Sequence, residues 1–403
     1  MHVLTSTHSI ANEQRGGDVE RRLELNGAFD HPLVTDYKGL KELETTNHRV
    51  LRETIDRFQP DLVYVHSLEG LSKSIIFALQ NMRLPVVYSV DHYWLAREVG
   101  KDPWLRWWNN PKNGGAGTLA RALLELSGGR SKLDHIAPTR ASKADHRLPS
   151  LYAGDGPFTS AQPNSLATFR FEHIYFCSQT VKFAAETAGF RVSHGEVIYP
   201  GVPTQTFFGE VKPASATTTK FLIVSKLDAQ SGALTAIKGL RALRSRGSTA
   251  TLAIYGRGDS DYMAQIRSEV AAQQLPVEFL PMSNMSKDLP GIYRRHDALL
   301  YTAEWNEPFS VTPLEAMASG LPVIGSAIGG AGELFREEQN SLTYSPGDSE
   351  VLASRMQQLQ KQPELRCRIA EAGQQEVLSQ FNESTVTDRI EIYLQSAIGD
   401  KPE

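Results

Sequence analysis

The 403-residue chain has a formal net charge of −4, with 40% apolar and 22% charged residues. That is a globular composition, long enough for two domains, and its charge gives no support to a nucleic-acid binder. The two cysteines, Cys177 and Cys367, make no disulfide framework, nothing has metal-site spacing and no apolar run reaches the ~18 residues of a membrane span, so a reducing cytoplasm is the expected compartment.

Residues 2–6 read as a strand from the outset, too short for a signal peptide. Gly16-Gly17 reads as a plain turn, and 19–25 as the next strand. Val50, Leu51, Ile55 and Phe58 lie at helical spacing, which predicts a helix over 47–58 ended by Pro60. A strand at 61–66, a helix at 71–81 and a strand at 85–90 follow. Such alternation predicts a parallel sheet with helices on both faces, whose ligands sit at the carboxyl ends of strands. His66 closes one of these strands and Asp91-His92 the next. A histidine at a strand end is either a satisfied structural residue or a ligand contact.

Trp104, Trp107 and Trp108 recur at helical spacing around Arg106. Core packing is the preferred reading, with an interfacial anchor for peripheral membrane contact, or an aromatic platform for an acceptor, as the alternative. The polar 128–165 stretch reads as a loop with a solvated basic face. The sheet resumes with a strand at 173–178, a helix at 179–188 and a strand at 196–199. Residues 200–203 turn toward a second domain through a linker over 209–219.

The second half repeats the alternation. A strand over 220–226 ends on Lys226, Ser231-Gly232 precedes a helix at 233–245, and Gly256-Arg257-Gly258 follows a strand at 250–255. That glycine pattern alone is weak, but its place after a strand suits a nucleotide-facing turn. A helix at 262–273, a strand at 277–280 and a helix at 289–295 lead to a strand over 297–302, which delivers Glu307. Then Thr312-Pro313-Leu314-Glu315 has the form of a capping box with proline at the first helical position. Gly320 and Pro322 stop that helix, 322–326 reads as a buried strand, and Gly329-Gly330 turns into a further helix. A strand at 341–344 and helices at 349–360, 364–378 and 383–398 complete the chain.

A helix started in this way offers free N–H groups to a phosphate or diphosphate, and the carboxylates of Glu307 and Glu315 suit sugar or ribose hydroxyls. The bland alternative makes Glu315 a capping partner only.

The stretch EPFSVTPLEAMASGLPVIGS resembles the donor-site motif of retaining glycosyltransferases with the GT-B fold, family-4 type. Ser310 stands where glycine is usual, and the eight-residue spacing from Glu307 to Glu315 is kept. The resemblance implies two doubly wound Rossmann-like α/β domains facing a cleft, an acceptor-side domain over 1–203 joined by the last helix at about 383–398, and a nucleotide-sugar domain over 204–382. It implies transfer, with retention, from a nucleoside-diphosphate sugar to a hydroxyl acceptor, without a metal. Glu307 and the backbone of Phe309, Ser310 and Val311 would orient the sugar. The helix end from Val311 to Leu314, Thr312 included, would meet the diphosphate with Lys226, which stands for the family's arginine, and Arg257 is a further basic candidate. Glu315 would hold the ribose. Ser231 stands for the family's lysine and would offer a hydroxyl in its place. Asp91-His92-Tyr93-Trp94 resembles the family's His-Asp-Tyr-Trp with its first two members exchanged, so either Asp91 or His92 would support the acceptor. The chain would also lack the family's opening βα unit. A catalytically silent sugar-nucleotide-binding homologue and a sugar-nucleotide epimerase of the same fold are the alternatives.

Overall fold

The computed structural model describes residues 1–8, 18–34, 37–71, 74–80, 82, 84–96, 169–280 and 285–399. Gly16-Gly17, the tryptophans at 104, 107 and 108 and the 128–165 stretch lie outside these. The chain forms two compact units, Met1–Phe176 with Val181–Val197 and Ile392–Glu403, and Cys177–Thr180 with Ile198–Glu391.

In the first unit β1 (Val3–Ser6) pairs in parallel with β2 (Val19–Leu23). Helix α1 (Tyr37–Phe58) follows, starting ten residues before the expected 47. The reason is the apolar stripe: buried Leu40 and Leu43 extend it backwards, through the buried Asn47. Asn47 hides the periodicity because it is polar, yet it is satisfied inside: its Oδ1 accepts from the Glu24 amide at 2.7 Å and its Nδ2 donates to the Glu24 carbonyl at 2.9 Å. Gln59, in the left-handed region at φ 49°, and Pro60 end the helix.

Strands β3 (Val63–Val65), β4 (Val86–Val90), β5 (His173–Phe176) and β6 (Glu196–Val197) form a parallel sheet in that order. Helix α2 (Ser74–Gln80) links β3 to β4, and α3 (Gln179–Thr187) links β5 to β6.

The second unit opens with a short helix that the sequence reading misses, α4 (Thr204–Phe207). Its sheet holds β7 (Lys220–Val224), β8 (Thr251–Tyr255), β9 (Val277–Phe279), β10 (Ala298–Tyr301), β11 (Val323–Ser326) and β12 (Leu342–Tyr344). All pair in parallel, in the order β12-β11-β10-β7-β8-β9. Helices α5 (Ala233–Ser245), α6 (Ser260–Ala272), α7 (Met285–Arg295), α8 (Thr312–Ala318), α9 (Gly329–Gly332), α10 (Ser349–Lys361), α11 (Pro363–Gln380) and α12 (Glu383–Gly399) complete the series.

The central strands of this sheet, β7, β8 and β10, are apolar beyond their first residues because both faces are covered. Phe221 and Ile223 of β7 join one core with Leu252, Ile254, Ala298 and Leu300. Their neighbours Leu222 and Val224 join the other core with Ala253, Tyr255, Leu299 and Tyr301. The strand order reverses between β7 and β10, so the crevice at their carboxyl ends is where such a fold binds ligands. Among the described residues no helix is long and apolar enough to cross a membrane.

Candidate functional site

Two loops leave the carboxyl ends of β7 and β10 and are tied together. The Thr302 hydroxyl donates to the Ser231 carbonyl at 2.6 Å, and the Glu304 amide donates to the Gln230 carbonyl at 2.8 Å. Gly232, at φ 67°, is required here, since a Cβ would lie 1.8 Å from the Thr302 carbonyl oxygen. The other side of the β10 loop rests on α9. The Gly330 amide donates to the Glu307 carbonyl at 2.8 Å, and a Cβ on Gly330 would lie 1.9 Å from the Pro308 oxygen. The Ser178 hydroxyl also donates to that Pro308 carbonyl, at 2.6 Å. Gly329-Gly330 is therefore the seat of the Glu307 loop, a close approach that two side chains would block.

Glu307 and Glu315 are both half-buried, and each is held from behind by a tyrosine. The Tyr301 hydroxyl donates to Glu307 Oε2 at 2.5 Å, and the Tyr293 hydroxyl donates to Glu315 Oε2 at 2.8 Å. Among the described residues neither Oε1 atom has a hydrogen-bond partner. Burial raises both carboxyls, Glu315 to about 7. For Glu307 the Asp228 charge adds to burial while the Tyr301 hydrogen bond opposes it, so Asp228 belongs to the same site.

The expected capping box does not form. Val311 is the N-cap of α8, no side chain caps it, and Thr312 lies inside the helix. Glu315 does not reach back because the Tyr293 hydroxyl, from α7, competes for its carboxylate within the core of the unit. The bland reading of Glu315 thus fails on geometry. Pro313 sits in the first turn as expected, and Gly320, at φ 74°, follows the helix. Among the described residues the amides of Ser310, Val311 and Thr312 make no backbone hydrogen bond. Ser310 is buried, Val311 exposed, and the Phe309 ring packs 5.5 Å from that of Tyr199.

Lys226 lies just beyond β7, largely exposed, with Nζ 3.6 Å from Asp228 Oδ2. Ser231 corrects the expectation of a ligand hydroxyl. It is buried, and its Oγ donates to the Asp228 carbonyl at 2.7 Å, closing the turn. Arg257 is exposed at the end of β8. The glycines around it serve the backbone: Cβ atoms on Gly256 and Gly258 would lie 1.9 Å and 1.6 Å from the Ser225 and Leu227 oxygens. They let residues 225–227 run beside 255–259, with the Leu227 amide donating to the Arg257 carbonyl at 2.9 Å.

In the first unit, Asp91 and His92 follow β4 on the exposed side, while Tyr93 and Trp94 are buried and anchor them. His92 Nδ1 lies 2.6 Å from Asp91 Oδ1, and Nε2 lies 3.1 Å from Glu69 Oε2. Burial lowers its pKa, but the hydrogen bonds and charges of Asp91 and Glu69 outweigh this and the net shift is upward. His66 is exposed at the end of β3, its ring 4.4 Å from Tyr64.

Sequence reasoning missed Tyr293, Tyr301, Asp228 and Glu69. Only Tyr301 carried a usable signal, as the last residue of the strand that delivers Glu307. The others are partners chosen by the packing of distant segments. Glu333 was missed too: its carboxylate accepts from the amides of Gln179 and Thr180 at 2.9 and 2.7 Å.

Residues 206–376, which contain Lys226, Arg257, Glu307 and Glu315, match the family model described as glycosyl transferases group 1. Glycogen synthase of Mycobacterium tuberculosis is 28% identical over 183 residues, which are 45% of this chain and 44% of that protein. The chain thus matches under half the length of that curated relative. HepE of Anabaena, solved in complex with UDP, is similar in structure with a TM-score of 0.59 at 19% identity, covering 91% of this chain and 86% of that one. Sucrose-phosphate synthase from Thermosynechococcus elongatus gives 0.62 at 16% identity over 99% and 88%. Residues 206–376 therefore match the glycosyl transferases group 1 model, and the chain has the α/β fold of the GT-B glycosyltransferases.

Proposed function

We propose that this protein is a retaining glycosyltransferase of family-4 type. It moves a sugar from a nucleoside-diphosphate sugar to a hydroxyl acceptor in glycan, glycolipid or glycoconjugate synthesis. One observation carries the reading: at the switch point of the second sheet, Glu307 and Glu315 are each braced by a tyrosine hydroxyl, and among the described residues each keeps one carboxylate oxygen unpartnered. That is the equipment for gripping sugar and ribose hydroxyls. The group-1 region and the UDP and UDP-glucose held by HepE support a nucleotide-sugar donor.

Glu315 holds the ribose, while Glu307 and the backbone from Phe309 to Val311 orient the transferred sugar as it gains oxocarbenium character. The bond between the anomeric carbon and the phosphate oxygen breaks, the diphosphate leaves with the electron pair, and the acceptor oxygen bonds to the carbon on the same face. The acceptor proton passes to the departing phosphate oxygen. Growing charge on the diphosphate meets the amides from Ser310 to Thr312, Lys226 and Arg257, without a metal.

A second reading, a donor-binding protein with little turnover, draws support from Ser231, whose hydroxyl is consumed by its own turn, and from Lys226, which is shared with Asp228. Assay of transfer and hydrolysis with UDP-glucose and other donors separates the two. We expect Glu307→Ala and Glu315→Ala each to abolish transfer with melting temperatures close to wild type. Wild-type rates in both variants would refute the assignment of these carboxylates.

A further inference from the structure

We infer that Glu69 is a positioning residue that fixes His92 as a doubly hydrogen-bonded donor, so that His92 grips substrate and does not act as the base. The inference rests on the glycosyl-transfer reading for its link to activity. Both ring nitrogens face carboxylate oxygens, Asp91 Oδ1 at 2.6 Å and Glu69 Oε2 at 3.1 Å. Two carboxylates can be satisfied at once only by a ring carrying hydrogen on both nitrogens. Such a ring has no lone pair with which to take a proton from an acceptor hydroxyl.

The placement of Glu69 is built in. Leu68 beside it is buried, and the following Gly70, at φ 70°, accepts from the Asn26 amide at 2.9 Å. A Cβ on Gly70 would lie 2.5 Å from that of Ala28, so the turn is pressed against the 26–34 loop. On the other side Trp94 is fully buried and its Nε1 donates to the Ser89 carbonyl at 3.3 Å, which holds Asp91-His92 at the end of β4. The longer of the two contacts, to Glu69, lies on the nitrogen farther from the backbone. It is the contact that a substrate hydroxyl can share: Nε2–H donates to the hydroxyl oxygen, and the Glu69 carboxylate accepts the hydroxyl hydrogen.

The groups that set the titration of His92 are Asp91 at the end of its own strand and Glu69 from the β3 side. Tyr175 on β5 also feels the Asp91 charge, but it is neutral across the working range because burial raises it. With its pKa raised, the imidazolium persists to higher pH than that of an unperturbed histidine.

The experiment follows the His92 ring proton by NMR titration of the full chain, alongside kcat/KM for transfer as a function of pH, in wild type, Glu69→Gln and Glu69→Asp. Glu69→Gln should titrate at lower pH than wild type, with Glu69→Asp restoring part of the difference. The alkaline limb of kcat/KM should move with the ring, while KM for the donor stays within about twofold. An unmoved ring titration in Glu69→Gln, or an unmoved alkaline limb, overturns the inference. A wild-type ring that titrates high in a protein with no transferase activity supports the cluster and instead removes the proposed function.

Discussion

Glu315 is the residue whose charge state most directly governs the proposed donor site. Burial holds its carboxyl up at about 7, against about 4.3 for an unfolded glutamate. A group raised on folding contributes stability that is full below the unfolded value and lost as pH rises through the folded one. Stability of the ligand-free protein should therefore decline between about pH 4.5 and pH 7 from this group, and Glu315→Gln should flatten the decline in chemical denaturation. Ribose hydroxyls need the ionised carboxylate, so UDP-glucose affinity should strengthen over the upper part of the same range. Its diphosphate keeps a constant charge there, which isolates the protein's contribution. Calorimetric titration at pH 5.5, 6.5 and 7.5 checks this, and a Glu315→Gln variant with the same pH dependence as wild type would assign the effect elsewhere.

At the scale of elements, the site depends on close backbone approaches that only glycine permits. Gly232→Ala and Gly258→Ala would each drive a Cβ to within 2 Å of a carbonyl oxygen, at 1.8 and 1.6 Å. Each should destabilise the protein by roughly 3 kcal/mol or more in denaturant melts. Gly247 is the control. Like Gly232 it has a positive φ, 89°, but a Cβ there meets nothing within 4 Å, so Gly247→Ala should cost only the left-handed backbone strain, about 1–2 kcal/mol. Equal losses at Gly232 and Gly247 would mean that conformation, not contact, sets the requirement there. Most elements were legible in the sequence because their apolar patterns are local. The start of α1 was not, since its stripe runs through Asn47, a polar residue satisfied by Glu24. The capping box was misread for a related reason: Thr312 and Glu315 have the right spacing, but Tyr293 of α7 takes the carboxylate that a local cap would use.

For the whole molecule, the testable claim is where the donor binds. Hydrogen exchange of the full chain with saturating UDP-glucose should slow amides in the β7 loop over 225–232 and in the β10 loop and α8 over 304–318. A ligand present at 100 times its Kd adds about 2.7 kcal/mol to stability, enough to be seen also as a rise in melting temperature. Protection confined to the first unit would contradict the proposed site.

The sequence by itself determined the alternation of strand and helix, the parallel sheets and the identity of Glu307 and Glu315 as a pair worth testing, because periodicity and motif spacing are properties of short stretches. The tertiary structure decided what those residues meet. Tyr293, Asp228 and Glu69 reach Glu315, Glu307 and His92 only through chain segments brought together by folding. Burial of Glu315 within the fold raises its carboxyl to about 7, and Glu69 from the β3 side completes the pair of carboxylates that holds His92.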